Sequence, residues 1–150
     1  ITLPENFDRP YLAPNIQQFW NRWHITLSMW FRAYYFTPVS RAMIRMKLPR
    51  YTDIFIAQLS TMILIGLWHG ITANFLLWGL WHGIGLFAFK VISDYTRRWY
   101  RNATQKIWVK RAFMAGSVFL TFHFVALGWV FFTLPTPDDS LNMLLRLFGG

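Results

Sequence analysis

Leu67-Trp68-His69-Gly70-Ile71-Thr72-Ala73-Asn74 lies near the middle of the longest uncharged run in the chain, Ile54 to Phe89, which Asp53 and Lys90 bracket. As a single helix those 36 residues would reach roughly 54 Å at about 1.5 Å per residue. That is too long for one crossing of a hydrocarbon core about 30 Å thick, and too short for two full crossings with a loop. The run therefore predicts a hairpin of two short apolar helices, Ile54–Leu67 and Asn74–Phe89, meeting at Gly70-Ile71-Thr72-Ala73 and stopping short of the far surface. Irregular backbone at such depth is tolerated only where it is buried in protein or lines a water-filled cavity. The apex histidine is thus expected at the floor of a cavity inside a membrane protein.

Composition points the same way. Hydrophobic residues make up 55% and aromatics 20% of the 150 residues, with nine Trp and no Cys. Several apolar runs reach membrane length, which is unusual for a soluble domain. The net charge of +9 is not spread over a surface. Seven Lys/Arg precede residue 54, seven fall between Lys90 and Arg111, and one follows. Two cationic blocks flanking apolar spans fit the positive-inside pattern of membrane loops, and no nucleic-acid partner is expected. The absence of Cys excludes disulfides and thiolate chemistry within the chain. With no initial Met, signal-peptide pattern or terminal signal, the chain reads as a piece of a larger polytopic protein.

The flanks complete an all-α reading in which 1–150 form part of one membrane domain. Residues 1–53 hold an approach segment with Pro4, Pro10 and Pro14, then an amphipathic helix over Asn15–Tyr35, then a basic stretch. Asn15 followed by Gln18 is a capping-box pattern. Phe19, Trp20, Trp23, Leu27 and Trp30 cluster on one face, with Arg22 and Arg32 opposite. That suits a helix lying in the membrane interface, although a soluble amphipathic helix has the same periodicity. Pro38 is expected to end it, and Arg41, Arg45, Lys47 and Arg50 to face anionic lipid in the cytoplasm. Residues 54–89 are the hairpin and 90–111 a basic cytoplasmic loop. The 23 uncharged residues 112–134 suffice for one full transmembrane span. Residues 135–150, with Asp138 and Asp139, would lie on the extracytoplasmic side. No strand pattern and no internal repeat is read.

Two separated motifs carry a resemblance. Asn6-Phe7-Asp8-Arg9-Pro10-Tyr11-Leu12-Ala13 with Phe19-Trp20-Asn21-Arg22-Trp23-His24-Ile25-Thr26-Leu27-Ser28-Met29-Trp30-Phe31-Arg32, and then Gly66-Leu67-Trp68-His69-Gly70, resemble the membrane-bound O-acyltransferase family. The likeness is to its bacterial branch of alginate O-acetyltransferases and teichoic-acid D-alanyltransferases. It covers roughly residues 6 to 90, and departs from the alginate-type pattern at Ala33 and Val39-Ser40.

The resemblance implies an enzyme moving an acyl group, acetyl above all, from a cytoplasmic thioester to hydroxyls of a cell-surface polysaccharide. D-alanyl transfer to teichoic acid, or acylation of a lipid or protein, is the alternative within that class. A transporter or structural membrane fragment is the alternative outside it. No permanently bound cofactor is implied; acyl-CoA or an acyl carrier protein would be the co-substrate. The implied partners are membrane lipids, the donor or its carrier on the cytoplasmic side, and the surface polymer or an extracytoplasmic acyl-accepting protein. The implied location is a bacterial-type cytoplasmic membrane, crossed several times.

By resemblance His69 is the catalytic histidine and His24 the second histidine or asparagine position of the family. An ionisable residue at bilayer depth is a functional candidate in its own right, and a neutral imidazole suits a general base. The competing reading for His69 is a packed ring bonded to a carbonyl; for His24 it is an interfacial ring reaching for headgroups. Asn74, Trp78 and His82 repeat every fourth residue on the second arm and are candidate substrate contacts with Trp68. Asn74 serves equally as a helix cap, His82 as an interhelical hydrogen bond, and the tryptophans as packing. His123, alone in the last span, reads as an interhelical contact. No histidine spacing fits a metal.

These charge blocks generate a topology test. Cysteines placed at position 105 and at position 138 should react with a membrane-impermeant maleimide from opposite faces, 105 from the cytoplasm. Labelling of 105 from outside alone would overturn the hairpin.

Overall fold

The computed structural model of the chain describes residues 3–49 and 51–150. Ile1 and Arg50 lie outside the described residues, so the expected basic run is described through Lys47. The elements are a 3-10 turn Pro10–Leu12, α1 (Ile16–Arg22), α2 (Ile25–Phe31), a π-helical turn Arg32–Phe36, α3 (Thr37–Arg45), α4 (Thr52–His69), α5 (Ala73–Ala103), α6 (Ile107–Thr133) and α7 (Pro137–Leu147). Among the described residues there is no strand, only an isolated antiparallel bridge between Phe7 and Trp23.

α4, α5 and α6 are each long and apolar enough to cross a membrane. The 18 residues of α4 give about 27 Å, close to a full hydrocarbon core. The hairpin of α4 and α5 is closed by glycines. A Cβ at Gly79 would lie 2.6 Å from the Met62 carbonyl oxygen and 2.9 Å from Ile63 Cα. One at Gly83 would lie 3.1 Å from Leu59 Cα, and one at Gly66 would strike the Phe75 carbonyl. Backbones thus touch along the pair, which side chains larger than hydrogen would prevent. α6 settles on the other flank of α5, where Gly128 meets Trp81 and His82 and the Trp81 ring stacks on Phe124 at 4.9 Å. The Trp81 indole donates to the Phe124 carbonyl at 2.9 Å. α6 returns to the hairpin apex, because Asn74 donates to the Leu134 carbonyl.

Three expectations change. The helix foreseen over Asn15–Tyr35 is broken at Trp23, which is extended, and His24, which is left-handed (φ 47°, ψ 52°). The cause is tertiary: Asp8 N–H donates to Arg22 O and Ile25 N–H to Asn6 O, both at 3.0 Å, so the approach segment pairs with the break. Pro38 does not end the helical run. It has no N–H to offer the Tyr34 carbonyl, and the wider π turn Arg32–Phe36 absorbs the mismatch just before it. Residues 90–111 are largely helix, since nothing between Lys90 and Arg101 is Gly or Pro, and α5 runs on to Ala103. Lys90 pairs with Asp94 at 2.6 Å one turn on, and the Tyr51 hydroxyl donates to the same carboxylate at 3.2 Å, tying α5 to the start of α4. Within residues 135–150, for which the sequence pattern assigns a side of the membrane and no element, Pro137–Leu147 form α7, capped by the Thr136 hydroxyl accepting from Asp139 N–H. The Asn15 cap is present, accepting from Gln18 N–H at 2.8 Å.

The glycine contacts predict that Gly79→Ala costs about 1–3 kcal/mol of stability through overpacking against backbone. Gly116→Ala, on α6 with nothing within 4 Å, should be neutral or stabilising by up to about 1 kcal/mol from helix propensity. Unfolding of the two variants in detergent checks the contrast.

Candidate active site

His69 is the last residue of α4, and the chain leaves the helix at Gly70. A Cβ at Gly70 would lie 2.6 Å from the Phe75 ring, so only glycine lets that ring close over the apex. Ile71 is 93% exposed at the tip. Thr72, not Asn74, caps α5, its hydroxyl accepting from Phe75 N–H at 3.3 Å. The His69 imidazole is half-buried among rings: Trp68 at 4.8 Å, Phe132 of α6 at 5.0 Å, Trp78 at 5.7 Å and Phe75 at 6.1 Å between centroids. Among the described residues neither of its nitrogens has a hydrogen-bond partner. It is therefore held by shape, with both nitrogens open to chemistry.

His24 is positioned from the other end of the chain. The Asn6 side chain sits 3.3 Å from His24 Nδ1, while its oxygen accepts from Thr26 N–H at 3.0 Å and the Thr26 hydroxyl at 2.9 Å. Phe7 packs on the ring at 5.4 Å. The left-handed backbone that a histidine adopts only at some cost is stabilised by this clamp. Trp68 lies between the two histidines, 6.2 Å from His24 and 4.8 Å from His69. His24 thus stands at a helix break, not on the flank of one continuous aromatic stripe.

The other candidates occupy different places. Trp78, 4% exposed, walls His69 on one side and His82 on the other, at 4.6 Å. Asn74 is buried and donates to Leu134 O and, at 3.3 Å, to the hydroxyl of Ser140 on α7. His82 is fully buried, its Nδ1 3.1 Å from the Trp78 carbonyl of its own helix. His123 is exposed and donates to Phe119 O of its own helix at 2.8 Å, rather than across helices. Trp68 is 57% exposed.

A cavity of about 310 Å³ opens between α1, α2, the π turn, α4 and α5. Gln17, Ser28, Arg32, Gln58 and Thr61 supply its polar lining, among apolar side chains. Ile65, one turn before His69, also borders it. Along α4 the lining residues 58, 61, 62 and 65 form one face that leads up to His69.

Three features escape a reading by motif alone. Phe132 packs on His69 yet has no local signature, and Asn6 belongs to the first motif, whose residues give no hint that it reaches His24. The pentapeptide Gly-Leu-Trp-His-Gly occurs twice, at 66–70 and 79–83, a repeat too short to be found by looking for structural periods. The third is the spacing of Gly79 and Gly83, a signal for close helix contact.

Three apolar helices and a histidine-bearing hairpin define a helical membrane protein with an imidazole site at the apex. The model of the membrane-bound O-acyltransferase family matches residues 1–134, and the chain belongs to that family. The chain is 34% identical over 150 residues to a peptidoglycan O-acetyltransferase of Helicobacter pylori, covering 99% of this chain and 26% of that protein. It is 34% identical over 143 residues to a teichoic acid D-alanyltransferase of Streptococcus thermophilus, covering 89% and 34%. It is 34% identical over 146 residues to a probable alginate O-acetylase of Pseudomonas syringae, covering 97% and 24%. The chain spans about a quarter to a third of the length of these relatives.

The clamp on His24 yields a test. Asn6→Ala removes the acceptor of two exposed Thr26 donors and the lock on a left-handed residue, a loss of about 0.5–1.5 kcal/mol. Asn6→Asp, which keeps the acceptor, should lose less in the same thermal-unfolding measurement.

Proposed function

We propose that the protein containing this chain is a membrane-embedded O-acyltransferase with His69 as general base. The observation that carries the reading is the half-buried His69 ring, caged by aromatics and without a hydrogen-bond partner among the described residues, one helical turn beyond Ile65, which borders a polar-lined cavity. In the reaction the acceptor hydroxyl oxygen attacks the thioester carbonyl carbon while His69 takes the hydroxyl proton. The carbon–sulfur bond then breaks, and the proton passes to the departing thiolate. The ester and a free thiol are the products.

The acyl group is acetyl and the acceptor a cell-envelope polysaccharide, as the names of the Helicobacter and Pseudomonas relatives suggest. The donor is an acyl-CoA or acyl carrier protein approaching from the cytoplasm, where the cationic end of α5 and the cationic start of α6 lie. The cavity beside Gln58 and Ile65 leads the thioester up α4 to His69. His24, across Trp68, is the second catalytic imidazole. Trp68 and Trp78 contact the substrates, Asn74 fixes the apex against α7, and His82 supports Trp78. The enzyme resides in a bacterial-type cytoplasmic membrane and delivers product to an extracytoplasmic polymer or acyl-accepting partner protein.

The test uses the full-length protein. His69→Gln keeps shape and hydrogen-bonding capacity without a usable base, so surface-polymer O-acyl content should fall on the order of 10²–10⁴-fold. His69→Ala should do the same while the protein remains folded and inserted, and His24→Gln should fall between wild type and His69→Gln. Normal acyl transfer by folded His69→Gln would remove the base assignment and leave His69 as packing.

A further inference from the structure

Among the described residues five buried side-chain polar atoms have no partner: Gln58 Oε1, Asn74 Oδ1 and three that belong to rings packed on one another. The ring atoms are the indole Nε1 of Trp20, the indole Nε1 of Trp78, and Nε2 of His82. The three residues are 7%, 4% and 0% exposed. Their rings form a triangle, with centroids 5.7 Å apart for Trp20–Trp78, 5.6 Å for Trp20–His82 and 4.6 Å for Trp78–His82. They come from α1 and α5, and Gly128 of α6 brings backbone against the edge of His82.

The chemistry of the three atoms is fixed. An indole N–H only donates. His82 Nδ1 faces the Trp78 carbonyl, which only accepts, so Nδ1 carries the hydrogen and Nε2 of the neutral ring is an acceptor. The triangle therefore presents two donors and one acceptor. Leaving all three desolvated and unpaired would be costly. A single water accepts two hydrogen bonds and donates one or two, and buried waters of this kind make about three.

We propose that Trp20, Trp78 and His82 form a binding site for one internal water molecule, through which His82 acts as a positioning residue that holds Trp78 against His69. Trp78 is the shared element: it lies 4.6 Å from His82 and 5.7 Å from His69. Water bridging its indole N–H to α1 and to His82 fixes the ring that forms one wall of the His69 cage. The positioning half of this inference rests on His69 being the base; the water site does not.

Ultraviolet resonance Raman spectra of the full-length protein separate the two, because the indole band that senses N–H hydrogen bonding requires no acyl transfer. Wild type minus Trp20→Phe and wild type minus Trp78→Phe isolate each indole, and both should read as hydrogen-bonded. In a His82→Phe background both bands should move to the free position. In His82→Gln, whose amide oxygen replaces Nε2 as acceptor, they should return. A free N–H at either indole in wild type overturns the site, with that indole facing a ring instead; this result needs no His82 variant to fold. A Trp20 band that His82→Phe leaves unchanged also overturns it, the indole then being hydrated from the cavity alone. For positioning, His82→Phe should lower kcat on the order of tenfold with KM unchanged, and His82→Gln should restore it. Loss of both bands at full kcat overturns the positioning role.

Discussion

The close backbone contact between α4 and α5 is the constraint on which the remaining structure depends. Inside a bilayer the lipid tails are as apolar as leucine, so apolar side chains alone give helices little reason to associate. Gly66, Gly79 and Gly83 let main-chain atoms meet instead. Contact at that distance fixes the rotation of each helix and their register. That register determines that Trp78 lies beside His69, that His82 turns inward, and that α6 finds a groove for Gly128. A wider hairpin would keep the same residues without the aromatic cage.

The duplicated Gly-Leu-Trp-His-Gly shows how position decides what a motif does. In the first copy the histidine closes a helix at an exposed turn, and its ring is reachable from outside the hairpin. In the second copy the same five residues lie within α5, both glycines pack against neighbouring elements or side chains, and the histidine is sealed. Sequence chemistry is identical; burial and the partner of Nδ1 are not. The proposed base must exchange a proton with a substrate, and only the ring of the first copy is open enough to be reached. The second copy is suited to support.

Much of this was legible in the chain. The hairpin apex, the capping role of Asn15, the apolar spans and the family all follow from local residues, periodicity and charge blocks. The break at His24 was not, because its cause lies 18 residues away in Asn6, and helical periodicity over 15–35 carries no trace of that pairing. The length of α5 was misread for a related reason. Charge marks where a helix leaves the membrane, but only Gly, Pro or a competing cap ends the helix itself, and residues 90–101 offer neither Gly nor Pro. The partners of Asn74 depend on how the end of α6 and α7 dock, which no short window encodes.

The geometry also gives the hairpin a direction. The lining residues of α4 all precede His69, and Leu86 of α5 borders the same cavity. The cavity therefore lies toward the end of the hairpin that carries Lys90 and Asp94, while the apex, with Ile71 and the docked start of α7, lies at the other end. From Asp53 to His69 is 16 residues, about 24 Å of helix, so the imidazole stands most of a hydrocarbon core away from the charged end. A group entering beside Gln58 would meet the ring from one side, and a group entering at the apex from the other. An imidazole caged by Trp68, Trp78 and Phe132, with no hydrogen bond to turn it toward either side, is free to serve both. The proposed role of His69 as proton acceptor needs a ring that can be reached in this way.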